Sequence, residues 1–515
     1  MTIPIVYFIG AGPGDPGLIT VRGLDCLRRA DVVIHDPGIS PRLLARARPD
    51  AEVIDVGRAD ADEPAAEAIG LLIADKVSTG KVVARLKSGD PFVFDRGAEE
   101  ALILERHGVS FEVVPGIPAG IATPAYAGIA IGHSPATEVI TIVRGCEDDH
   151  RALADVDWSA IARVRGTVVC YAGPQQLPRM LEALRSHGCP ADTPAAIIYN
   201  GTQPSQETVT GRLAELTAAA HDHHRRGSAV LVVGQAASLR NHLRWFDARP
   251  LFGKRVLVTR PRDQAAELVD RLNALGAEAI ESPMIAILPP DDPGPLLDAA
   301  ADAGAFDCIV FTSANAVEAF MTALLDGSRD IRALKGPVLC AVGTATADRL
   351  ARYGIKVDLV PSEFRAEAVV STLMAQRPVA ALRFLLPRAD IAREVIATQL
   401  REAGAEVIEV IAYRTVLQEG PRPHEPDVYG MLLNGQIDVV TFTSASAVRN
   451  FLKVYGSDQA VDLLNTIVVA TIGPVTAETA TQLGIRVEIQ PTSYTVPALV
   501  DAIASYYIEK RFAES

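Results

Sequence analysis

Short apolar runs recur along the chain, separated by longer stretches in which apolar and polar residues mix. Residues 5–9, 31–35, 52–56, 82–86 and 111–114 are such runs, rich in branched side chains. Runs buried on both faces and alternating with helical patterns predict a parallel sheet with crossover helices, an α/β protein. A polar, turn-rich stretch at 221–228 reads as a loop. The segment WFDARPLF (245–252) contains a Pro and precedes a fresh strand at 255–259, so it predicts a domain boundary. The division expected is residues 1–245, a linker at 246–252, and residues 253–515.

The second of these regions repeats itself. FDCIVFTSANAVEAF returns as IDVVTFTSASAVRNF, AVGTATADRLARYGIKVDLVP as TIGPVTAETATQLGIRVEIQP, and LNALGAEAIE as LREAGAEVIE. Phe311 thus matches Phe442, Gly343 matches Gly473 and Gly276 matches Gly404, each roughly 130 residues on. Three blocks in one order at nearly one offset predict two similar α/β lobes, and a cleft between lobes is a usual place for a ligand.

At 515 residues the chain is long enough for several domains, and 49% hydrophobic with 22% charged residues fits a globular protein. A net charge of −14 argues against nucleic acid and anionic membrane surfaces as partners, because both need a basic footprint. The six Cys show no metal-ligand spacing and read as reduced thiols. No apolar stretch approaches the roughly 18–20 residues of a membrane span, and the N-terminus has no signal-peptide pattern, so the expected location is cytoplasmic.

Candidate chemistry in the first half begins with GAGPGDPGLIT (10–20), between a strand and a helix. Its four glycines allow tight turns and close approach of backbone to a ligand. Pro13 and Pro16 interrupt the spacing of a dinucleotide-binding loop. HDPGIS (35–40), LKSGDPFVFDRGAEE (86–100), VVPGIPAGIATPAYAGI (113–129), CYAG (170–173) and NGTQPSQETVTGRL (200–213) follow in order. Together these segments resemble the tetrapyrrole methylase family, and most closely its uroporphyrinogen-III C-methyltransferases, across residues 3–245. The resemblance implies a two-domain α/β fold that binds S-adenosylmethionine between its domains and forms a homodimer. It places the cofactor against Pro13, Gly14, Asp15, the Ser88–Gly89–Asp90 turn, Val93, Pro118, Ala119, Tyr171, Ala172 and Gly201. Asp36 becomes the candidate base, and Arg58 stands where the family has a substrate-proximal Lys. Attack of a pyrrole carbon on a sulfonium methyl, followed by proton loss, needs orientation and a base. The family's YDRLVS reads HDPGIS here and its FGRGGEE reads FDRGAEE. Such departures leave two readings open: a methyltransferase that converts uroporphyrinogen III to precorrin-2 by methylation at C2 and C7, or a binding or dimerisation module.

GKRVLVTRPRDQAAELVDRLNALGAEAIESPMIAI (253–287), the repeated FTSANAV/FTSASAV and VGTATA/IGPVTA turns, and AYRT (412–415) resemble uroporphyrinogen-III synthase over residues 253–515. The implied fold is two α/β lobes, one from the middle of the region and one from its start and end. The implied reaction is closure of hydroxymethylbilane with inversion of its last ring, without metal or organic cofactor. Thr312, Ser313, Thr443 and Ser444 would bind carboxylates at helix starts, with Thr346 and Thr476 on opposite cleft walls. Tyr413 matches the family tyrosine thought to assist hydroxyl departure, and Arg260, Arg262 and Arg388 are candidate carboxylate partners. A two-lobed small-molecule binder is the competing reading of this half.

Overall fold

In the computed structural model of the protein, residues 4–57, 64–133, 137–145, 156–173, 176–220, 227–327, 329–361, 366–376, 378–390, 395–417 and 426–514 are described. The first five apolar runs become β1 (Val6–Gly10), β2 (Val32–His35), β3 (Glu52–Asp55), β4 (Val83–Lys87) and β5 (Phe111–Val114). They form one parallel sheet in the order β3-β2-β4-β1-β5. Alternation along the strands divides the apolar residues between two faces. Ile9, Val33, Ala84 and Leu86 pack with Leu27 and Leu43, while Phe8, Ile34 and Val83 pack with Ile73 and Leu104. Helices therefore cover both sides, and the chain emerges at the carboxyl ends of the strands, where open α/β sheets bind ligands.

A second sheet follows, built from β6 (Ile140–Val143), β7 (Thr167–Ala172), β8 (Pro194–Tyr199), β9 (Glu207–Arg212) and β10 (Ala229–Val233), in the order β6-β7-β10-β8-β9. Only its β6–β7 pair is parallel. The connection from β8 to β9 is too short for a crossover helix and folds back as a hairpin, so this sheet is mixed.

The second half contains β11 (Arg255–Val258), β12 (Glu278–Glu281), β13 (Ile285–Leu288), β14 (Cys308–Phe311), β15 (Val338–Ala341), β16 (Arg383–Ala389), β17 (Glu406–Leu417), β18 (Val439–Phe442) and β19 (Val468–Thr471). Two sheets result, β12-β11-β18-β19 and β13-β17-β16-β14-β15. The middle of the region thus makes one lobe and its two ends the other, as the resemblance implies. The repeats are exchanged between lobes: β11 and β12 of the first copy pair with β18 and β19 of the second, and the reverse holds for β14 to β17. Equivalent core packing marks the duplication, with Phe311 on Phe320 and Phe442 on Phe451, both edge-on at 5.4 and 5.7 Å.

The chain divides into two compact units, one of residues 1–256, 270–279 and 503–515 and one of residues 257–269 and 280–502. Residues 246–252, expected as a linker, are packed within the first unit. Phe246 and Leu251 are buried, Phe246 lies against Tyr126, and the Trp245 indole N–H donates to the Ala125 carbonyl at 2.9 Å. Four large apolar residues within eight positions explain why this segment does not run free in water. Cys26, Cys170, Cys308 and Cys340 are buried and outside any disulfide, and Cys146 lies outside the described residues. Among the described residues no helix is long and apolar enough to cross a membrane.

Candidate active sites

Glycines let three strand ends of the first sheet converge. A Cβ on Gly116, after β5, would lie 2.1 Å from the Gly89 carbonyl oxygen and 2.6 Å from the Gly10 Cα. Gly12 and Gly89, both at positive φ, exchange backbone hydrogen bonds of 3.2 and 2.9 Å. Asp90 fixes the same crossing. Its Oδ1 accepts from the Phe92 N–H at 2.8 Å and its Oδ2 from the Gly116 N–H at 2.9 Å. The Ser88–Gly89–Asp90 turn lies beside Pro118 and Ala119, which open the helix Ala119–Tyr126. Pro13, Gly14, Asp15, Pro118 and Ala119 are half-buried, Ser88 and Val93 exposed.

The other expected cofactor contacts join this crossing to the second sheet. Asp15 accepts from Gly17 N–H at 2.7 Å and from the Tyr126 hydroxyl at 2.8 Å, and its own N–H donates to Thr202 Oγ1 at 3.1 Å. Burial and the Asp15 carboxylate push the Tyr126 phenol above its ordinary range. The Tyr171 hydroxyl accepts from Gly120 N–H at 2.7 Å, and its ring meets Phe94 edge-on at 5.3 Å. Ala172 is buried in β7, and Gly201 leaves no room for a Cβ beside Thr123. Of the contacts named from sequence, Gly89, Asp90, Pro118 and Ala119 gather at the strand ends, while Asp15 is tied to Thr202, the neighbour of Gly201, and to Tyr126, neither of which the sequence singled out.

Asp36 sits at the end of β2, where its N–H donates to the Leu86 carbonyl at 3.1 Å. Arg85 Nη2 donates to its Oδ1, and Lys87 Nζ is 3.8 Å from its Oδ2. Both cations also reach Glu100 in the helix Gly97–Arg106: Arg85 Nε at 2.8 Å, Arg85 Nη2 at 2.9 Å and Lys87 Nζ at 2.8 Å. Lys87 further contacts Asp95 at 3.0 Å. Burial works against the Arg85 charge, but Glu100 and Asp36 outweigh it and hold the guanidinium above its ordinary value. Burial pushes the Asp95 carboxyl up to about 6, against the pull of Lys87 and with the help of Asp36. His35 is buried, its Nδ1–H donating to the Asp36 carbonyl at 2.8 Å, and its Nε2 has no partner among the described residues. Arg58 lies outside the described residues.

Arg85, Lys87, Asp95 and Glu100 were not singled out from the sequence. The signal was there in VVARLK (82–87), because cations two apart in a central parallel strand share one buried face and demand acidic partners.

In the second half Ser313 and Ser444 occupy equivalent places. Each precedes a helix, Ala314–Asp326 or Ala445–Tyr455, and each Oγ accepts from a backbone N–H three residues on at 3.1 Å. Ser313 Oγ is also 3.1 Å from the Tyr413 hydroxyl, which β17 brings from 100 residues away. Thr312 and Thr443 are half-buried beside these caps. Thr346 and Thr476 are each buried in the first turn of a helix, Thr344–Arg352 or Pro474–Gln482. Gln264 of the first lobe donates to Asn315 of the second at 3.1 Å, so the lobes touch next to the Ser313 turn. Arg388, expected to meet a substrate carboxylate, lies 2.9 Å from Glu409, which also pairs with Arg401. Arg260 is half-buried after β11 and Arg262 is exposed.

The uroporphyrinogen-III synthase HemD family matches residues 266–501, and the tetrapyrrole (corrin/porphyrin) methylase family matches residues 5–217. A porphyrin biosynthesis protein HemD of Ruminiclostridium josui is 32% identical over 500 residues, 97% of either chain. The chain belongs to this fused methylase–synthase family. It is a bifunctional enzyme whose methylase half precedes its synthase half. The uroporphyrinogen-III C-methyltransferase of Bacillus subtilis (strain 168) is 33% identical over 371 residues, 72% of this chain and 75% of that one. Siroheme synthase 1 of Yersinia enterocolitica is 42% identical over 247 residues, 48% of this chain and 51% of its own length. The present chain thus spans about half of that relative.

Proposed function

We propose that the synthase half, residues 253–515, closes hydroxymethylbilane to uroporphyrinogen III with inversion of ring D, and that the methylase half, residues 1–245, methylates that product at C2 and C7 to precorrin-2. One observation carries the reading: each family-matched half holds a site of the right chemistry, and the product of the second is the substrate of the first. S-adenosylmethionine supplies an electrophilic sulfonium methyl to the methylase half. The residues fit it, since packing of Gly10, Gly89 and Gly116 fixes the inner side of the crossing and leaves the backbone of 13–15 and 118–119 partly open. Asp36 then takes the proton that the methylated ring releases, while Arg85 holds its carboxylate at the mouth of the strand ends. The same reading gives Arg58 a place near the substrate and the methylase half a dimer interface, in a cytoplasmic protein.

In the synthase half, the helix starts at Ser313 and Ser444 present backbone N–H groups to substrate carboxylates, with Thr312, Thr443, Thr346, Thr476 and Arg260 around them. Tyr413 directs its hydroxyl at the departing substrate hydroxyl, with Ser313 holding the phenol. Loss of that group leaves a conjugated cation, so the protein chiefly folds the linear tetrapyrrole for attack at the substituted ring carbon. The test is a coupled assay on hydroxymethylbilane with and without labelled S-adenosylmethionine, with the products separated by chromatography. The expected products are the type III isomer without the donor and doubly labelled precorrin-2 with it. A type I product overturns the synthase reading, and type III product without label overturns the methyltransferase reading.

A further inference from the structure

Asp95 precedes the helix Gly97–Arg106 on the segment that leaves β4, and the family pattern FGRGGEE has Gly in its place. Its carboxylate is one of three around a single ammonium. Lys87 Nζ lies 2.8 Å from Glu100, 3.0 Å from Asp95 and 3.8 Å from Asp36. The ammonium has three N–H bonds. Two are at hydrogen-bond length to Glu100 and Asp95, and Asp36 receives the longer contact. Glu100 is 1% exposed, whereas Asp36 and Asp95 are 20% and 21% exposed and so meet the solvent side of the cluster.

We propose that Asp95 is a titratable positioning residue for methyl transfer, drawing Lys87 away from Asp36 when ionised and releasing it to Asp36 when protonated. The inference rests on Asp36 being the base. With Lys87 drawn off and a second negative charge nearby, Asp36 accepts the ring proton more readily. Asp95 itself makes or breaks no substrate bond: the methyl passes from sulfur to the ring carbon, the sulfonium becomes a thioether, and the ring proton goes to Asp36. The charged groups of the cluster are Lys87 and Arg85 from β4, Asp36 from the turn after β2, and Glu100 from the helix that follows Asp95, and the Arg96 backbone N–H donates to the Asp95 carboxylate. Burial raises the Asp95 carboxyl to about 6, which puts the change of state within a pH range where the enzyme can be assayed.

The test is the rate of labelled methyl transfer to uroporphyrinogen III by the full chain, at saturating substrates, from pH 5 to 8.5. The wild-type kcat is expected to rise on the order of tenfold through a midpoint near 6. Asp95→Asn should remain on the low plateau across the range with the KM for S-adenosylmethionine within about twofold, and Asp95→Glu should restore the rise. A flat wild-type profile, or a rise that survives in Asp95→Asn, overturns the inference, and the wild-type profile does so even if the variants fail to fold. A wild-type chain that transfers no methyl at any pH overturns the methyltransferase reading beneath it, a different result from transfer with a flat profile.

Discussion

Replacing Glu100 by Gln keeps the shape of the side chain and removes its charge. Glu100 is 1% exposed and accepts three hydrogen bonds, two from Arg85 and one from Lys87. An amide there retains one acceptor oxygen and turns N–H donors toward a guanidinium that has only donors to offer. Two cations that are 1% and 3% exposed would then face Asp36 and Asp95 alone within the cluster. Removing one partner of a buried ion pair costs about 3–5 kcal/mol, because the remaining charge stays desolvated. Hydrogen bonds to charged groups, at about 1.5–3 kcal/mol each, give a total of the same order. The chain's two tryptophans, Trp158 and Trp245, both lie in the first unit, so their fluorescence during urea unfolding follows that unit. Glu100→Gln should lower its unfolding free energy by about 3–5 kcal/mol. A loss below about 1 kcal/mol would refute the reasoning, since Arg85 and Lys87 would then be satisfied by Asp36, Asp95 or water without Glu100.

Gly116→Ala places a Cβ 2.1 Å from the Gly89 carbonyl oxygen, so the strand ends must part; we expect a loss of about 1–3 kcal/mol and S-adenosylmethionine binding at least about tenfold weaker by calorimetric titration, and binding within twofold of wild type would contradict the convergence. Asp95 has its folded value raised above the ordinary 3.8, so its contribution to stability is present below pH 4 and is lost as pH rises through about 6. Asp95→Asn should therefore unfold at higher urea than wild type at pH 7, an advantage that shrinks as the pH falls below 6 and vanishes only below about pH 4; equal midpoints at pH 7 would contradict this. Ser313→Ala and Ser444→Ala should each cost about 0.5–2 kcal/mol as lost helix caps, but only Ser313→Ala should lower the kcat for type III product, as Tyr413→Phe should by about tenfold to a hundredfold.

The first sheet was legible because its inner strands β1, β2 and β4 are buried on both faces and its strands read as mostly apolar runs. The second was read less well: alternation of strand and helix predicts parallel pairing, and the β8–β9 hairpin depends on a seven-residue connection whose brevity is visible only once both strand ends are known. The duplication was legible from three aligned blocks, whereas the exchange of its halves between lobes, which depends on pairing across more than 150 residues, was legible only through the family resemblance. Single positions fared unevenly. Ser313 and Ser444 were recognisable as helix starts and are caps. Arg388 looked free to bind substrate, and only the register of β16 on β17 reveals the nearby Glu409. The Arg85–Lys87–Glu100 cluster escaped notice because charged residues in a strand suggest a solvated edge, whereas β4 lies inside the sheet.

Two lobes built from exchanged copies of one plan present nearly the same entrance twice, and the asymmetry that the proposed ring inversion needs has to come from somewhere else. Backbone angles at the two caps are almost equal, with φ of −156° at Ser313 and −159° at Ser444, so both helix starts offer N–H groups in the same way. A pair of like grips suits a substrate with repeated carboxylate arms. It does not distinguish one end of that substrate from the other. The difference lies in the strand beside each cap's lobe: β12 stops after four residues, whereas its counterpart β17 runs for twelve and is held by β13 along its far end. That extension carries Tyr413 to Ser313, while Ser444 has Ser446 at 3.0 Å instead. On the proposed reading, one lobe thus binds and the other binds and acts, and the distinction arises from the length of a strand while the duplicated turn is kept.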